Sequence, residues 1–197
     1  MTLEIMTLGI MDNNCYLLAD ENGTAVVIDP ALHAEKILAA LDGRGWRLAA
    51  VLVTHGHFDH IGALRELTAA RPVPVYLARE ELAIAAEMAH GRLTENTVDY
   101  PPELTVGDLH FTVLKTPGHS PGSVCLLCGK YLFTGDTLFA GSCGRTDFCG
   151  GDAGQLAQSL TRLARLDFDG RVLPGHGEET TLARERAVNP YLAGGIQ

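Results

Sequence analysis

The sequence predicts a four-layer α/β sandwich in which two sheets pack face to face and helices cover both outer surfaces. Three observations favour this fold class. Short apolar runs of strand type alternate with helical segments along the whole chain. The strand-like runs are frequent in both halves, which indicates two sheets. The chain has 197 residues, 46% hydrophobic and 20% charged, which is enough for one folded domain with a substantial core.

The N-terminal segment predicts a meander of strands. Leu3–Leu8 and Cys15–Leu18 have the composition of strands. Asn22 and Gly23 can take the positive φ values that a tight hairpin turn needs, and the apolar strand Ala25–Ile28 follows them. The chain is therefore expected to begin with antiparallel strands.

Helices and buried strands are predicted next. Apolar side chains at helical spacing predict a helix over residues 34–41, and Gly43 is placed as its C-terminal stop. Ala49–Val53 is a continuous apolar run, typical of a strand that is buried on both faces. Further helices are predicted over about 61–70 and 80–90, with the strand Val73–Leu77 between them.

The second half repeats this pattern. Alternating apolar and polar residues predict a strand over 111–115, and two strands follow, Ser123–Leu127 and Tyr131–Thr134, joined by a tight turn. The remaining predicted elements are a helix over about 155–166, the strand Arg171–Leu173 and a last helix, Thr181–Ala187.

Residues 1–197 are expected to form a single domain, because no linker, internal repeat or low-complexity tract interrupts the pattern. A net charge of −9 disfavours nucleic acid and anionic membrane surfaces as partners. Neither a signal peptide nor a run near the ~20 apolar residues of a membrane span is visible. Five scattered cysteines fit reduced thiols and a cytoplasmic location.

One group of polar side chains shares a position just after a strand-like run, in a loop that contains Gly or Pro: His55, His57, His60, His119, Asp136 and His176. Such loops are where a rigid scaffold presents functional groups. Imidazole and carboxylate are ligands for zinc, iron or manganese. With Asp59, the set is too large for one tetrahedral zinc but fits two metal ions that share a carboxylate, for which Asp136 is the candidate.

The spacing within the first cluster supports this hypothesis. His55 and His57 are two residues apart and can hold one ion only from a bent loop, which Gly56 permits. Asp59 and His60 are adjacent and could face a second ion. A single histidine at a strand end is more often a hydrogen-bonding loop residue, and the three other histidines, which lack this context, are expected to be ordinary surface or helix residues: His33, His90 and His110.

These motifs resemble those of a known family. Thr54–His60 matches the His-x-His-x-Asp-His signature of the metallo-β-lactamase superfamily, and its later motifs follow in order at 116–122, 135–139 and 174–177. The chain is most similar to the glyoxalase II (hydroxyacylglutathione hydrolase) group in its short bacterial form, through matches at 14–16, 144–148 and 189–191.

The resemblance implies an αββα fold with two mixed sheets and a site for two divalent ions, with zinc expected and iron or manganese as alternatives. It places the first ion on His55, His57 and His119, the second on Asp59, His60 and His176, and Asp136 between them. A hydroxide shared by the two ions would attack the thioester carbonyl. Asp59 and Asp136 would be the catalytic carboxylates, with Asp59 able to orient the attacking water.

The implied substrate is a small acyl-thiol such as S-D-lactoylglutathione, and the expected state is a monomer or a homodimer. The classical enzyme has an additional C-terminal helical domain that helps to bind glutathione, whereas this sequence ends at Gln197 without one. The thiol carrier and the acyl group are therefore left open.

Two further residues have alternative roles. The resemblance implies that Arg145 holds a carboxylate of the substrate, and an ion pair with Asp147 or Asp152 is the alternative. Asp29, at the end of its strand, could orient a ligand histidine through the other ring nitrogen or could cap a helix beyond Pro30.

The pair Cys125 and Cys128 has the spacing of a redox or zinc dithiol, but it lies within a predicted strand. Positions three apart on a strand face opposite sides of the sheet. We therefore expect two separate buried thiols.

Two other functions compete with thioester hydrolysis. The first is persulfide dioxygenase, a sister group with one iron on residues that match His55, His119 and Asp136; Phe58 and the segment 120–122 favour the hydrolases instead. The second is a non-catalytic or nucleic-acid-processing member of the superfamily. The acidic, short chain and its complete ligand set make that reading the least favoured.

Overall fold

Two six-stranded sheets lie at the centre of the molecule in the computed structural model, which describes residues 1–88 and 96–193. In the first sheet, two antiparallel pairings are followed by parallel ones. Its strands, which neighbour one another in sequence order, are β1 (Thr2–Leu8), β2 (Asn13–Ala19), β3 (Thr24–Ile28), β4 (Arg47–Leu52), β5 (Val75–Tyr76) and β6 (Thr97–Val98).

The second sheet is also mixed. Its order is β14-β13-β10-β9-β8-β7, and only the β10–β13 pairing is parallel. Between these strands lies a separate hairpin of β11 and β12. The bounds are β7 (Glu103–Val106), β8 (Leu109–Lys115), β9 (Val124–Cys128), β10 (Tyr131–Gly135), β11 (Leu138–Phe139), β12 (Ser142–Cys143), β13 (Arg171–Pro174) and β14 (Thr180–Thr181).

The helices form two outer layers. Apolar residues of α1 and α3 pack on the first sheet, and those of α5 and α6 pack on the second. The helices are α1 (Ala34–Gly43), α2 (Phe58–Ile61), α3 (Leu64–Ala70), α4 (Leu82–Met88), α5 (Ala153–Ala164), α6 (Leu182–Val188) and α7 (Pro190–Ala193). None of the helices in the described ranges is both long and apolar enough to cross a membrane.

Alternation along the strands creates the layers. On β3, Ala25 and Val27 face the helices of the first sheet, whereas Val26 and Ile28 face the second sheet. The side chains between the sheets are buried, and Phe133 among them is fully buried. Because successive residues of a strand point to opposite faces, a strand that is covered on both sides must be apolar throughout. The predicted four-layer α/β sandwich of two mixed sheets is confirmed.

Several predicted bounds were wrong. The helix expected over 61–70 is split into α2 and α3, because the chain at Gly62 passes so close to the preceding loop that a Cβ there would lie 2.2 Å from the carbonyl oxygen of Ala31. The strand expected over 73–77 has only two paired residues. The helix expected over 80–90 is a 3-10 turn at 79–81 followed by α4, and the predicted end at His90 lies outside the described residues.

Two helices are displaced by small amounts. The helix expected over 155–166 begins at Ala153, where the side chain of Asp152 accepts a hydrogen bond from the backbone N–H of Gln155. The last predicted helix begins one residue later, after Thr181, whose side chain accepts from the N–H of Arg184. In both cases a capping side chain sets the start of the helix.

Asp20 links the two sheets by hydrogen bonds, at the end of the sandwich opposite to the candidate metal ligands. Its carboxylate accepts hydrogen bonds from the backbone N–H groups of Asn22 (2.9 Å) and Thr24 (2.8 Å) in the β2–β3 turn. It also accepts one from Asp108 (3.0 Å), in the turn between β7 and β8 of the other sheet. These hydrogen bonds, that from Asp108 foremost, lower the pKa of Asp20.

The two cysteines at CxxC spacing are separate buried thiols, as predicted. Cys125 packs with the helices on the outer face of the second sheet, and Cys128 packs between the sheets. Burial raises the pKa of each thiol to about 11, which keeps both protonated at neutral pH.

Candidate metal centre

The candidate ligands lie at one edge of the sandwich, where strands of both sheets end. β3 and β4 are parallel, as are β10 and β13, and β8 runs with β10 because both are antiparallel to β9. The carboxyl ends of parallel strands meet at one edge of a sheet. The loops that leave β4, β8, β10 and β13 therefore converge, and α2 begins inside the first of them.

The structure brings together all seven side chains that the sequence singled out as ligands. They form three overlapping groups, and within each group the ligand atoms lie within 4.8 Å of one another. The groups are His55, His57 and His119; His55, His60 and Asp136; and Asp59, His60 and His176.

Asp136 lies between the two outer groups. Its Oδ1 is 3.4 Å from Nε2 of His60, and its Oδ2 is 3.6 Å from Nε2 of His119 and 3.6 Å from Nε2 of His176. On one side, Nδ1 of His57 is 3.0 Å from Nε2 of His119. On the other, Nε2 of His176 is 3.2 Å from Oδ2 of Asp59. A carboxylate in this position can contact cations on both sides.

Three buried atoms of this cluster have no hydrogen-bond partner among the described residues: Nε2 of His55, Nε2 of His60 and Oδ1 of Asp136. Leaving a buried polar atom unpaired costs about 1–3 kcal/mol. All three point into the same space, and each belongs to a donor type that binds divalent cations. The His/Asp cluster therefore fits a dinuclear metal site.

The second ring nitrogens are held by the protein. Nδ1 of His119 lies 2.7 Å from the carbonyl oxygen of Arg145, and Nδ1 of His176 lies 3.0 Å from that of Met11. A carbonyl oxygen can only accept, so in both rings Nδ1 carries the hydrogen and Nε2 keeps a free lone pair directed into the cluster. This is the usual arrangement of a metal-binding histidine.

Asp29 holds His60 in the same manner. Its Oδ2 is 3.0 Å from Nδ1 of His60, and its two oxygens also accept hydrogen bonds from the backbone N–H and the hydroxyl of Thr54, both at 2.7 Å. The backbone of Asp29 has a φ of +50°, which non-glycine residues seldom adopt. The alternative role as a helix cap is wrong, because His33 occupies the cap position of α1.

Burial and the charges of neighbouring side chains shift the pKa values of the clustered histidines and aspartates. Burial, together with the neighbouring histidines, holds the pKa of His55 well below its ordinary value and lowers that of His57 to about 4. Burial opposes the charged form of His60 also, but the charges of Asp136 and Asp29 outweigh it and raise its pKa. For Asp136, burial is outweighed by His60, His119 and His176, which lower its pKa.

The backbone at Gly175 passes too close to Asp136 and His60 to carry a side chain. A Cβ added at Gly175 would lie 2.3 Å from Oδ1 of Asp136 and 2.6 Å from Cε1 of His60. The Pro174-Gly175-His176 sequence thus combines close approach of the backbone with presentation of a ligand.

Two contributors were missed in the sequence. The side chain amide of Asn13 donates to Oδ2 of Asp59 at 2.9 Å and lies 3.3 Å from Nε2 of His176. A buried polar residue at the start of an otherwise apolar strand was the available signal. Glu81 is fully buried, and its oxygens accept from the backbone N–H groups of Gly56 (2.7 Å) and Gly122 (2.6 Å). No local pattern distinguishes it from its exposed neighbour Glu80.

Arg145 lies at the rim of the centre. Its guanidinium forms the ion pair with Asp147, with two hydrogen bonds of 2.5 Å, and lies 4.3 Å from the ring centroid of Phe148. Asp152 instead caps α5. Of the two ion pairs considered for Arg145, the structure contains the one with Asp147. Arg145 nevertheless lines the cavity of about 430 Å³ that opens over His57, His119 and the carboxylates.

The remaining histidines behave as predicted where they are described. His33 and His110 are exposed and distant from the cluster. His90 lies outside the described residues.

Comparisons with known proteins identify the superfamily of this chain. Residues 8–176 match the family model described as the metallo-beta-lactamase superfamily. Among curated proteins, the hydroxyacylglutathione hydrolase GloC of Haemophilus influenzae is 33% identical over 98% of this chain and 98% of its own length.

Solved structures with the same fold include two relatives of moderate identity. TTHA1623, solved in a di-iron-bound form, is 38% identical, with a TM-score of 0.87 over 96% of this chain and 100% of its own. ETHE1 from Myxococcus xanthus is 35% identical, with a TM-score of 0.86 over 98% of this chain and 85% of its own.

Proposed function

Because the chain belongs to the metallo-beta-lactamase superfamily, we propose that it is a hydrolase that cleaves a thioester at a centre of two divalent metal ions. The observation that carries the proposal is the convergence of seven histidine and aspartate donors, three of which have an unpaired buried ligand atom. Five of the seven line an open cavity. Zinc is the proposed metal, and the di-iron form of TTHA1623 makes iron the alternative.

The proposed ligand assignment follows the observed groups. His55, His57 and His119 would hold one ion, and Asp59, His60 and His176 would hold the other. Asp136, whose oxygens face both groups, would contact both ions. When bound, two such cations supply Lewis acidity and lower the pKa of a water molecule, so that hydroxide is available at neutral pH.

The protein's own residues position the reaction. The amide of Asn13 donates to Oδ2 of Asp59 and so fixes the orientation of this carboxylate, which would accept a hydrogen bond from the attacking water. The carbonyl oxygens of Arg145 and Met11 fix the ring planes of His119 and His176. Asp29 fixes His60. Each acceptor keeps its histidine in the tautomer whose free nitrogen faces the cavity.

The similarity to GloC over nearly the full length of both chains supports a thioester as the bond that is cleaved, with S-D-lactoylglutathione or a related acyl-thiol as the substrate. The cavity is large enough for such a molecule, since small-molecule sites commonly measure about 300–1,000 Å³.

The alternative of a mononuclear iron dioxygenase would need only His55, His119 and Asp136. It would leave the group of Asp59, His60 and His176 without an ion, although the ligand atoms of this group also lie within 4.8 Å of one another. An ion bound by this second group would distinguish the dinuclear hydrolase.

The test combines elemental analysis of the purified protein with hydrolysis of S-D-lactoylglutathione. We expect two metal ions per chain and catalysed hydrolysis of the thioester. Asp136→Ala should lose both the bound metal and the hydrolysis. His33→Ala, at an exposed position, is the matched control. One iron per chain with oxygen uptake on glutathione persulfide would overturn the hydrolase. Unchanged metal content and hydrolysis in Asp136→Ala would instead indicate a non-catalytic scaffold.

A further inference from the structure

We infer that the substrate carries an extended apolar arm next to its reacting carbonyl, and that Phe148 is a specificity-determining residue for that arm. This inference rests on the proposed thioester hydrolysis and names the substrate class. It concerns the walls of the cavity, whereas the metal donors form its floor.

The walls of the cavity are apolar. Besides five of the candidate metal donors, its described lining consists of Ser142, Cys143, Arg145 and five large apolar side chains: Met11, Phe58, Met88, Phe139 and Phe148. Aromatic and thioether side chains bind apolar surface well and offer no strong hydrogen bond to a charged or hydroxylated group. A ligand that fills this space is therefore selected for apolar area.

Large apolar side chains are also unusually exposed around the opening. Phe58 is 51% exposed, Met11 is 53% exposed and Phe148 is 45% exposed. Exposed apolar residues that adjoin one another at a cavity mark a binding surface more often than scattered ones do. Covering them with an apolar arm removes this surface from water, which gives affinity.

The cationic group at the rim does not offset this apolar character. Arg145 is the one non-histidine cation among the described residues that line the cavity, and its Nε and Nη2 both donate to the carboxylate of Asp147. The charge of the guanidinium is therefore already paired, which reduces its attraction for a carboxylate on the substrate. The guanidinium instead lies over Phe148, and the Phe148 ring meets His57 edge to face at 5.4 Å.

Phe148 is therefore fixed between the metal-binding loop and Arg145 and presents its remaining surface to the cavity. Its ring centroid lies 5.4 Å from that of His57 and 6.5 Å from that of His119, so this wall of the cavity adjoins two of the candidate ligands. Truncating it should open the cavity at the point where the chain next to the carbonyl begins.

The apolar arm could belong to the acyl group or to the thiol, and two substrate series distinguish them. The first series keeps glutathione as the thiol and varies the acyl group from acetyl through butyryl to hexanoyl, with D-lactoyl as the polar comparison. The second keeps the acetyl group and lengthens an alkyl thiol. Hydrolysis is followed as loss of thioester absorbance, because exposed Cys149 would react with thiol reagents.

We expect kcat/KM to rise by roughly two- to fourfold per added methylene in at least one series, the free-energy equivalent of partial to full burial of each group. Butyryl should then exceed D-lactoyl glutathione. A rise in the first series assigns the arm to the acyl group, and a rise confined to the second assigns it to the thiol.

A binding measurement makes the test independent of turnover. S-hexylglutathione and S-methylglutathione are thioethers and cannot be hydrolysed. By calorimetry we expect S-hexylglutathione to bind at least about tenfold more tightly, with a more negative heat-capacity change. Phe148→Ala should abolish this difference, Phe148→Leu should retain most of it, and Ile5→Ala, an exposed apolar position on β1, should leave it unchanged. Metal content is measured in each variant to verify that the centre is intact.

If kcat/KM does not change with chain length in either substrate series, and the two thioethers bind equally, the inference is overturned. Thioester hydrolysis would remain in place. A length dependence that persists in Phe148→Ala would overturn the role of Phe148. Absence of hydrolysis for every thioester, with two metal ions bound, would reject the proposed function itself, and tight binding of S-hexylglutathione would then still show the apolar selectivity of the cavity.

Discussion

Replacement of Glu81 by glutamine tests whether one buried carboxylate positions both loops that carry the first group of ligands. Glu81 is fully buried at the end of the 3-10 turn before α4. One oxygen accepts from the N–H of Gly56, between His55 and His57, and the other accepts from the N–H of Gly122, shortly after His119.

The magnitude follows from these two hydrogen bonds. A bond to a charged group contributes about 1.5–3 kcal/mol, and an unpaired buried donor costs about 1–3 kcal/mol. Glu81→Gln keeps the shape but turns one acceptor into a donor that faces a backbone N–H. We expect a loss of about 2–4 kcal/mol in the free energy of unfolding, or roughly 6–12 °C in Tm for a chain of this size.

The assay is thermal unfolding of the metal-free protein by circular dichroism, followed by metal titration. Glu80→Gln is the matched control, because its exposed side chain pairs with Lys115 at the surface and should change stability little. Glu81→Gln should also bind metal more weakly, since one of the two ligand loops loses its hydrogen-bond acceptor. Equal Tm values and equal metal affinities for the two variants would refute the reasoning.

Four further predictions follow from contacts around the centre and at the opposite end. Asp29→Asn should weaken metal binding by roughly 10–100-fold in chelator competition, because His60 loses its carboxylate partner, while the fold measured by circular dichroism persists; an unchanged affinity would contradict this. Gly175→Ala should displace the carboxylate of Asp136 and lower the metal content below that of the wild type, as elemental analysis would detect. Removal of metal by a chelator should lower Tm, and added zinc should restore it; a Tm independent of metal would argue against a bound cation. Asp20, whose folded-state pKa is lowered, contributes stability that is present above its unfolded pKa of about 3.9 and is lost as pH falls through the folded pKa. Urea unfolding should therefore show a deficit in Asp20→Asn at pH 7 that narrows in acid, whereas a constant deficit would assign the effect to shape alone.

The fold class and the positions of the longer strands were accessible from pattern, because burial on both faces forces continuous apolar runs. Ala49–Val53 and Ala25–Ile28 were recognisable for that reason, and both are central strands. Two-residue strands such as β5 and β6 were not, since their pairing depends on neighbours and not on composition. The break at Gly62 likewise depends on a loop that packs against it.

The candidate ligands were also readable from the sequence, because histidines and aspartates directly after apolar strands must emerge at a sheet edge. The proximity of the groups was not readable. It requires that β4 of one sheet and β8, β10 and β13 of the other end at the same edge, which pairing direction and sheet packing decide.

The sequence alone thus determined the layers, the donor types and the strand ends from which the donors project, because side-chain period and composition are local properties. The position of Asp136 between the two groups was expected, and the structure agrees with it. Only the tertiary structure decided that Glu81 joins two ligand loops and that Arg145 pairs with Asp147 and not with Asp152. These contacts depend on how distant parts of the chain pack together. In addition, the sequence does not distinguish a carboxylate that becomes buried from one that stays exposed.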